Sequence, residues 1–236
     1  MGHTRIDIYS SKDVTLEGIV ARPEGQDRLP PAAVLCHPHP VLGGDLDHPV
    51  LSAIDWTCMS EGIASLRFNF RGVGQSTGRF SNGASELDDV NAAFRLIEGL
   101  KCADPKRMAS VGYSFGASVL LRGIPKLKKS RSFVFIAPPL SSVRKSSIAK
   151  DSRPKLFICG QKDRVVSSTG LQRELDRIDQ PIEFYEIPDA DHGLSGHELA
   201  IGNRVAEFLL SSLQDKPSNS NLQQDERGRG SIWPWR

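Results

Sequence analysis

The sequence predicts an α/β architecture organised as a doubly wound, mostly parallel sheet with an antiparallel hairpin at its amino-terminal side. Three observations lead to it. Six short, nearly continuous apolar runs cover residues 32–36, 64–70, 109–113, 133–137, 156–159 and 182–187, the pattern of strands buried on both faces. Segments of helical character separate most of them, and such alternation requires parallel strands joined by crossover helices. Ahead of these runs, residues 6–9 and 14–21 alternate apolar and polar about a turn at 10–13, which predicts a hairpin at one edge of the sheet.

The helices are expected at 49–61, 85–101, 115–123, 168–178 and 198–213. Between the runs ending at Ala137 and beginning at Leu156 there is room only for a short helix around 141–150, so no substantial cap domain is expected. With 236 residues, 39% of them hydrophobic, the chain can bury one sizeable core, and residues 1–213 are read as a single domain. From Gln214 to Arg236 the composition turns polar with Pro, Gly and Ser, which predicts a disordered tail.

The chain carries 30 basic and 28 acidic residues, a net charge of +2, and no nucleic-acid partner is expected, since no aromatic residues interleave its basic run. No stretch approaches the ~20 apolar residues of a membrane span. The first residues carry no apolar run of a secretion signal, and the four cysteines (Cys36, Cys58, Cys102, Cys159) show no C-x-x-C spacing. Buried free thiols in a reducing, cytoplasmic compartment are expected.

The chemistry is concentrated where predicted strands end. The run over 109–113 leads into Gly112-Tyr113-Ser114-Phe115-Gly116 and then at once into a helix, matching G-x-S-x-G in the strand-turn-helix setting of a nucleophile elbow. Such a turn holds a serine hydroxyl out over the sheet edge, and glycine at both ends lets strand and helix approach closely. In sheets of this kind ligands bind beyond the carboxyl ends of the strands. There Gly160-Gln161-Lys162-Asp163 follows the run over 156–159, and Pro188-Asp189-Ala190-Asp191-His192-Gly193 follows the run over 182–187. The chain order Ser114, Asp163, His192 is that of the α/β-hydrolases and differs from the chymotrypsin and subtilisin orders. A neutral imidazole can take the proton of a weakly nucleophilic hydroxyl and return it to a leaving group, while a carboxylate on its far nitrogen fixes the tautomer. Asp189 and Asp191 are rival acids but lie too near His192 on its own loop to grip that far nitrogen.

Attack on an ester carbonyl builds negative charge that preorganised N–H groups must meet. The backbone N–H of Phe115 is one expected donor. The other is expected from His37-Pro38-His39-Pro40, where proline has no N–H and His39 lies farther beyond the strand than His37. A zinc site at His37, His39 and His48 with Asp45 or Asp47 is disfavoured, because prolines stiffen the loop and no third ligand has a recognisable spacing. The glycines at 72, 74 and 78 are spaced G-x-G-x-x-x-G with no helix following, so a dinucleotide site is rejected too. No cofactor and no metal is expected. In this loop Arg71 is read as an anchor bonded to backbone groups, with Asp89 supporting the following helix.

The runs CHPHPVLGGDLDHPV, LRFNFRGVGQSTGRF, VGYSFGA, FIAPPL and IPDADHG resemble those of small, lidless α/β-hydrolases akin to dienelactone hydrolase, described as predicted serine esterases. The resemblance covers roughly residues 6–213. It implies that Ser114, Asp163 and His192 form a catalytic triad, with oxyanion donors at Phe115 and His39. Dienelactone hydrolases proper carry cysteine where this chain has Ser114, which argues against that activity. The expected function is therefore a serine hydrolase cleaving carboxylic esters of small or short-chain acyl groups. The alternatives are a thioesterase or acyltransferase with the same triad, or a ligand-binding scaffold with little turnover. Ten basic residues lie between Arg122 and Lys155 against Asp151 alone. They are read mainly as a solvated face whose later members could rim the cleft and attract an anionic small-molecule ester.

Overall fold

The computed structural model describes residues 2–25 and 27–214. Most of the tail expected over 214–236 therefore lies outside the described residues. Among the described residues, eight strands form one sheet in the order β1-β2-β4-β3-β5-β6-β7-β8: β1 (Gly2–Ser11), β2 (Val14–Arg22), β3 (Ala32–Cys36), β4 (Ala64–Phe68), β5 (Met108–Tyr113), β6 (Ser130–Ile136), β7 (Lys155–Gly160) and β8 (Ile182–Ile187). The hairpin β1–β2 is antiparallel and joins the sheet antiparallel to β4, and every later pairing is parallel.

Alternation along the strands builds two cores. Val34 and Cys36 of β3 with Phe133 and Phe135 of β6 face one side, covered by α2 (Glu86–Gly99), α3 (Phe115–Gly123), α4 (Leu140–Lys145) and α5 (Ser168–Leu175). Ala33, Leu35, Val134 and Ile136 face the other, covered by α1 (Pro49–Ser60) and α6 (Glu198–Ser212). Because both faces are buried, the central strands read as unbroken apolar runs. All four cysteines are buried and unpaired. Among the described residues no helix is long and apolar enough to cross a membrane.

Some boundaries differ from those expected, each for a local reason. β1 is longer than residues 6–9 because its polar first residues still pair with β2, Gly2 opposite Arg22 and Arg5 opposite Ile19; edge pairing leaves no apolar signature. β4 stops at Phe68: the N–H of Asn69 still donates to the Glu17 carbonyl opposite it on β2, but the next N–H, that of Phe70, donates to the His37 side chain at Nε2 and leaves the ladder. α5 ends at Leu175, and the residues to Ile178 close by shorter turn bonds. The connection from β6 to β7 holds only α4 and one 3₁₀ turn (Ile148–Lys150).

Two readings of charged residues are corrected. The Arg71 guanidinium donates to both carboxylate oxygens of Asp89, at 2.7–3.2 Å, and to Ser10 Oγ, not to backbone carbonyls. The fully buried carboxylate of Asp89 also accepts the Arg71 N–H, because only a full counter-charge makes its burial tolerable. It is Glu86 that ties the preceding loop to α2, accepting from Ser81 and Gly83. Of the later basic residues, Arg153 pairs with Asp151 and donates to the carbonyls of Ile124, Leu127 and Ser130, and the ammonium of buried Lys155 donates to those of Arg153 and Asp179. Both sit where β7 begins, at the opposite end of the sheet from Ser114, and Arg144 is paired with Glu174. Arg153 and Lys155 therefore do not rim a cleft at the strand carboxyl ends.

Candidate functional site

The carboxyl ends of β3, β5, β7 and β8 bring the predicted residues together. Ser114 stands between β5 and α3 with φ 49° and ψ −100°, a conformation that costs an L-residue on the order of 1–3 kcal/mol. Its N–H donates to the Ile136 carbonyl at the end of β6, and the N–H of Gly116 donates to the His37 carbonyl beyond β3. The turn is thus held from both neighbouring strands. A Cβ on Gly112 would come within 2.7 Å of the Ala117 nitrogen, and one on Gly116 within 2.3 Å of the Cys36 carbonyl oxygen. Since the obstacle is backbone in both cases, no rotamer change relieves it. Gly116→Ala should lower stability by on the order of 3 kcal/mol, read from the urea midpoint; an unchanged midpoint would contradict the close packing.

Ser114 Oγ lies 3.1 Å from His192 Nε2, and His192 Nδ1 lies 2.8 Å from Asp163 Oδ2. Since a carboxylate only accepts, Nδ1 carries the ring proton and Nε2 is left to receive the proton of Ser114. Asp163 is buried, while the His192 side chain is 25% exposed. Burial alone would raise the Asp163 pKa, but hydrogen bonds from His192 and from the N–H groups of Val166 and Val165 outweigh it and hold the carboxyl below its usual range. It therefore stays ionised wherever a histidine titrates. The two loops are stitched together, with Lys162 N–H donating to the Ala190 carbonyl. A Cβ on Gly160 would lie 2.4 Å from that same oxygen.

The rival acids are otherwise engaged. Asp189 pairs with Lys162 at 2.6 Å, and Asp191 accepts the N–H of Gly193. Of the residues considered for zinc, His37 has both ring nitrogens committed: Nε2 accepts the Phe70 N–H at 3.1 Å, so Nδ1 bears the proton and donates to the Pro38 carbonyl at 2.7 Å. Burial pushes the His37 pKa down to about 4. His39 lies at the start of a 3₁₀ turn, its ring packed edge-on against Phe80 and Phe115, with Nδ1 accepting from Val41 N–H. Among the described residues, the backbone N–H groups of His39 and Phe115 donate to nothing.

Sequence reasoning missed Tyr113, whose buried hydroxyl donates to the His192 carbonyl at 2.5 Å and braces the histidine loop from the strand that carries Ser114. Its signal was available: a tyrosine in the middle of a buried run must find a partner for its hydroxyl. Backbone strain gathers here as well. Of six non-glycine residues with positive φ among the described residues, Ser114, Ala137, Asp189 and Leu194 lie on the loops that meet at this end of the sheet, where such cost is expected at functional sites.

The surroundings are open. An exposed depression of about 570 Å³ flanks His192, and of its charged lining Lys162 is neutralised by Asp189. Val41 and Leu42, next after the His39 loop, and Val165, close to Asp163, are 77%, 84% and 70% exposed, so large aliphatic side chains stand on loops to either side of β5.

No family model matches the chain. A solved α/β serine hydrolase homologue from Coxiella burnetii is 28% identical with a TM-score of 0.76, covering 91% of this chain and 99% of that one. A lidless α/β serine hydrolase from Xanthomonas campestris is 25% identical with a TM-score of 0.78, covering 92% and 98%. An uncharacterized protein of Rickettsia prowazekii is 26% identical over 206 residues, 83% of this chain and 85% of that protein. With its eight-stranded mostly parallel sheet, its amino-terminal hairpin and only a short connection between β6 and β7, the chain is a small α/β-hydrolase without a lid.

Proposed function

We propose that this protein is a serine hydrolase that cleaves carboxylic esters of small or short-chain acyl groups through an acyl-enzyme on Ser114. The observation that carries the reading is the chain of contacts from Ser114 Oγ to His192 Nε2 and from His192 Nδ1 to Asp163, at 3.1 and 2.8 Å. Ser114 Oγ attacks the ester carbonyl carbon as His192 Nε2 takes its proton. The carbonyl π electrons move onto oxygen, and the N–H groups of Phe115 and His39 stabilise that oxyanion. When the carbonyl re-forms, the bond to the alkoxy oxygen breaks and His192 delivers the proton to it. Water then repeats the sequence on the acyl-enzyme, releasing the acid and restoring the serine. Asp163 keeps its charge throughout and stabilises the imidazolium.

The exposed aliphatic residues Val41, Leu42 and Val165 and the absence of a covering domain between β6 and β7 support an accessible site for small apolar acyl groups. A fluorophosphonate should label the protein once, on the peptide containing Ser114, and turnover on nitrophenyl esters of graded chain length should favour the short ones. Absence of labelling would point instead to a ligand-binding scaffold. Faster turnover of a thioester, or transfer to an added alcohol in preference to water, would move the assignment to a thioesterase or an acyltransferase.

A further inference from the structure

The peptide group between Pro38 and His39 has its carbonyl on one side and the His39 N–H on the other, because the bond is trans and planar. Fixing the direction of the Pro38 carbonyl therefore fixes the direction of the His39 N–H. That carbonyl is covered by Gly44, where a Cβ would come within 2.2 Å of the oxygen. Among the described residues its one hydrogen-bond donor is His37 Nδ1, at 2.7 Å. The His37 ring cannot turn away: it is fully buried, its Nε2 is held by the Phe70 N–H, and it packs edge-on against the Phe70 ring at 4.9 Å. The peptide's other rotational state would place a carbonyl where the N–H now points and so meet an oxyanion with like charge.

We propose that the imidazole of His37 is a positioning residue for the oxyanion hole, holding the Pro38–His39 peptide in the one orientation that presents the His39 N–H to the reacting carbonyl. The inference rests on the reading of Ser114 as nucleophile and of His39 as an oxyanion donor. His37 acts through a peptide and touches no substrate atom. Its hydrogen bond also polarises the peptide, since an amide that accepts at oxygen donates more strongly at nitrogen. Low basicity of the buried ring keeps Nε2 an acceptor for Phe70 and so keeps the proton on Nδ1. A histidine serves here because its two ring nitrogens can accept on one side and donate on the other.

Two substitutions separate this role from simple packing. In His37→Gln the longer amide can still accept from the Phe70 N–H but gives up the bond to Pro38. In His37→Asn the shorter amide places an N–H where Nδ1 stood and gives up Phe70. On a short-chain nitrophenyl ester, H37Q should lose about 10- to 100-fold in kcat with KM little changed, a fraction of the loss expected for deleting a donor outright. Its affinity for a trifluoromethyl ketone, whose serine adduct carries an oxyanion, should fall by a similar factor, while Tm stays near that of the wild type. H37N should recover most of the lost kcat and ketone affinity at a lower Tm. Wild-type kcat and ketone affinity in H37Q would overturn the inference, as would losses in the two variants that simply follow Tm. Should H37Q not fold, H37N decides alone: more than a tenth of wild-type kcat supports the role, and less, in folded protein, overturns it. If the wild-type protein neither turns over esters nor binds the ketone, the assignment of the site has failed, and this inference with it.

Discussion

Replacing Ser114 by alanine should lower kcat by about 10⁴-fold or more on any ester the wild-type protein hydrolyses, with KM changed far less. The reason is chemical. Without Oγ there is no acyl-enzyme, and only direct attack by water remains, assisted by whatever oxyanion stabilisation and substrate binding survive. The fold should tolerate the change: among the described residues the Ser114 side chain makes one hydrogen bond, to His192, and its N–H bond to Ile136 is backbone. Alanine at φ 49° is no more strained in kind than serine there. Far-UV circular dichroism and Tm should be close to wild type, which makes the kinetic result interpretable. Retention of most activity in a folded S114A protein would refute the assignment of the nucleophile.

The second large effect is expected from Asp163→Asn, and its sign follows from the hydrogen bonds around the carboxylate. Oδ1 accepts two backbone N–H groups, from Val165 and Val166, each at 2.8 Å, and Oδ2 accepts from His192. An asparagine must keep its oxygen toward the two N–H donors, so its NH₂ group faces His192. The imidazole can then avoid a donor-donor clash only by carrying its proton on Nε2, the nitrogen that should receive the proton of Ser114. The variant is thus locked in the wrong tautomer, and kcat should fall by about 10⁴-fold. The loss should occur with little change in structure, because nearly every contact has a replacement. A check independent of rate is the histidine ¹⁵N spectrum, in which the protonated ring nitrogen of His192 should move from Nδ1 to Nε2. Activity within tenfold of wild type would mean that another carboxylate serves His192. The nearest, Asp189 and Asp191, are held by Lys162 and by the Gly193 N–H.

Much of this was legible along the chain because burial leaves a periodic trace. β3 is buried along its whole length and has the limits its apolar run suggests, and α3 begins at Phe115, directly after Ser114. β8 also keeps the limits of its run, but it is the last strand of the sheet and only Ile187 is fully buried, so it is not the doubly covered strand the run suggested. What was not legible is what leaves no such trace. The first residues of β1 are polar and pair only through backbone bonds at the sheet edge. The partner of Arg71 is a carboxylate 18 positions away, chosen by how α2 lies against the glycine-rich loop. The basic residues between Arg122 and Lys155 looked like one field of charge in the sequence. In the folded chain Arg153 and Lys155 are used as donors to carbonyls at the far end of the sheet.

Taken alone, the sequence determined which segments become strands and helices, that a serine stands at a strand-to-helix elbow, and that an acid and a histidine follow it in the hydrolase order. These are local properties, set by side-chain apolarity, glycine and the few residues either side of each position. Only the tertiary structure decided that β5 lies between β3 and β6, that Asp163 and not a neighbour of His192 meets its far nitrogen, and that His37 points inward to a peptide while Tyr113 braces the histidine loop. Each of these depends on which loops the packed sheet brings within hydrogen-bond reach, and that is a property of the assembled layers that no single stretch of chain contains.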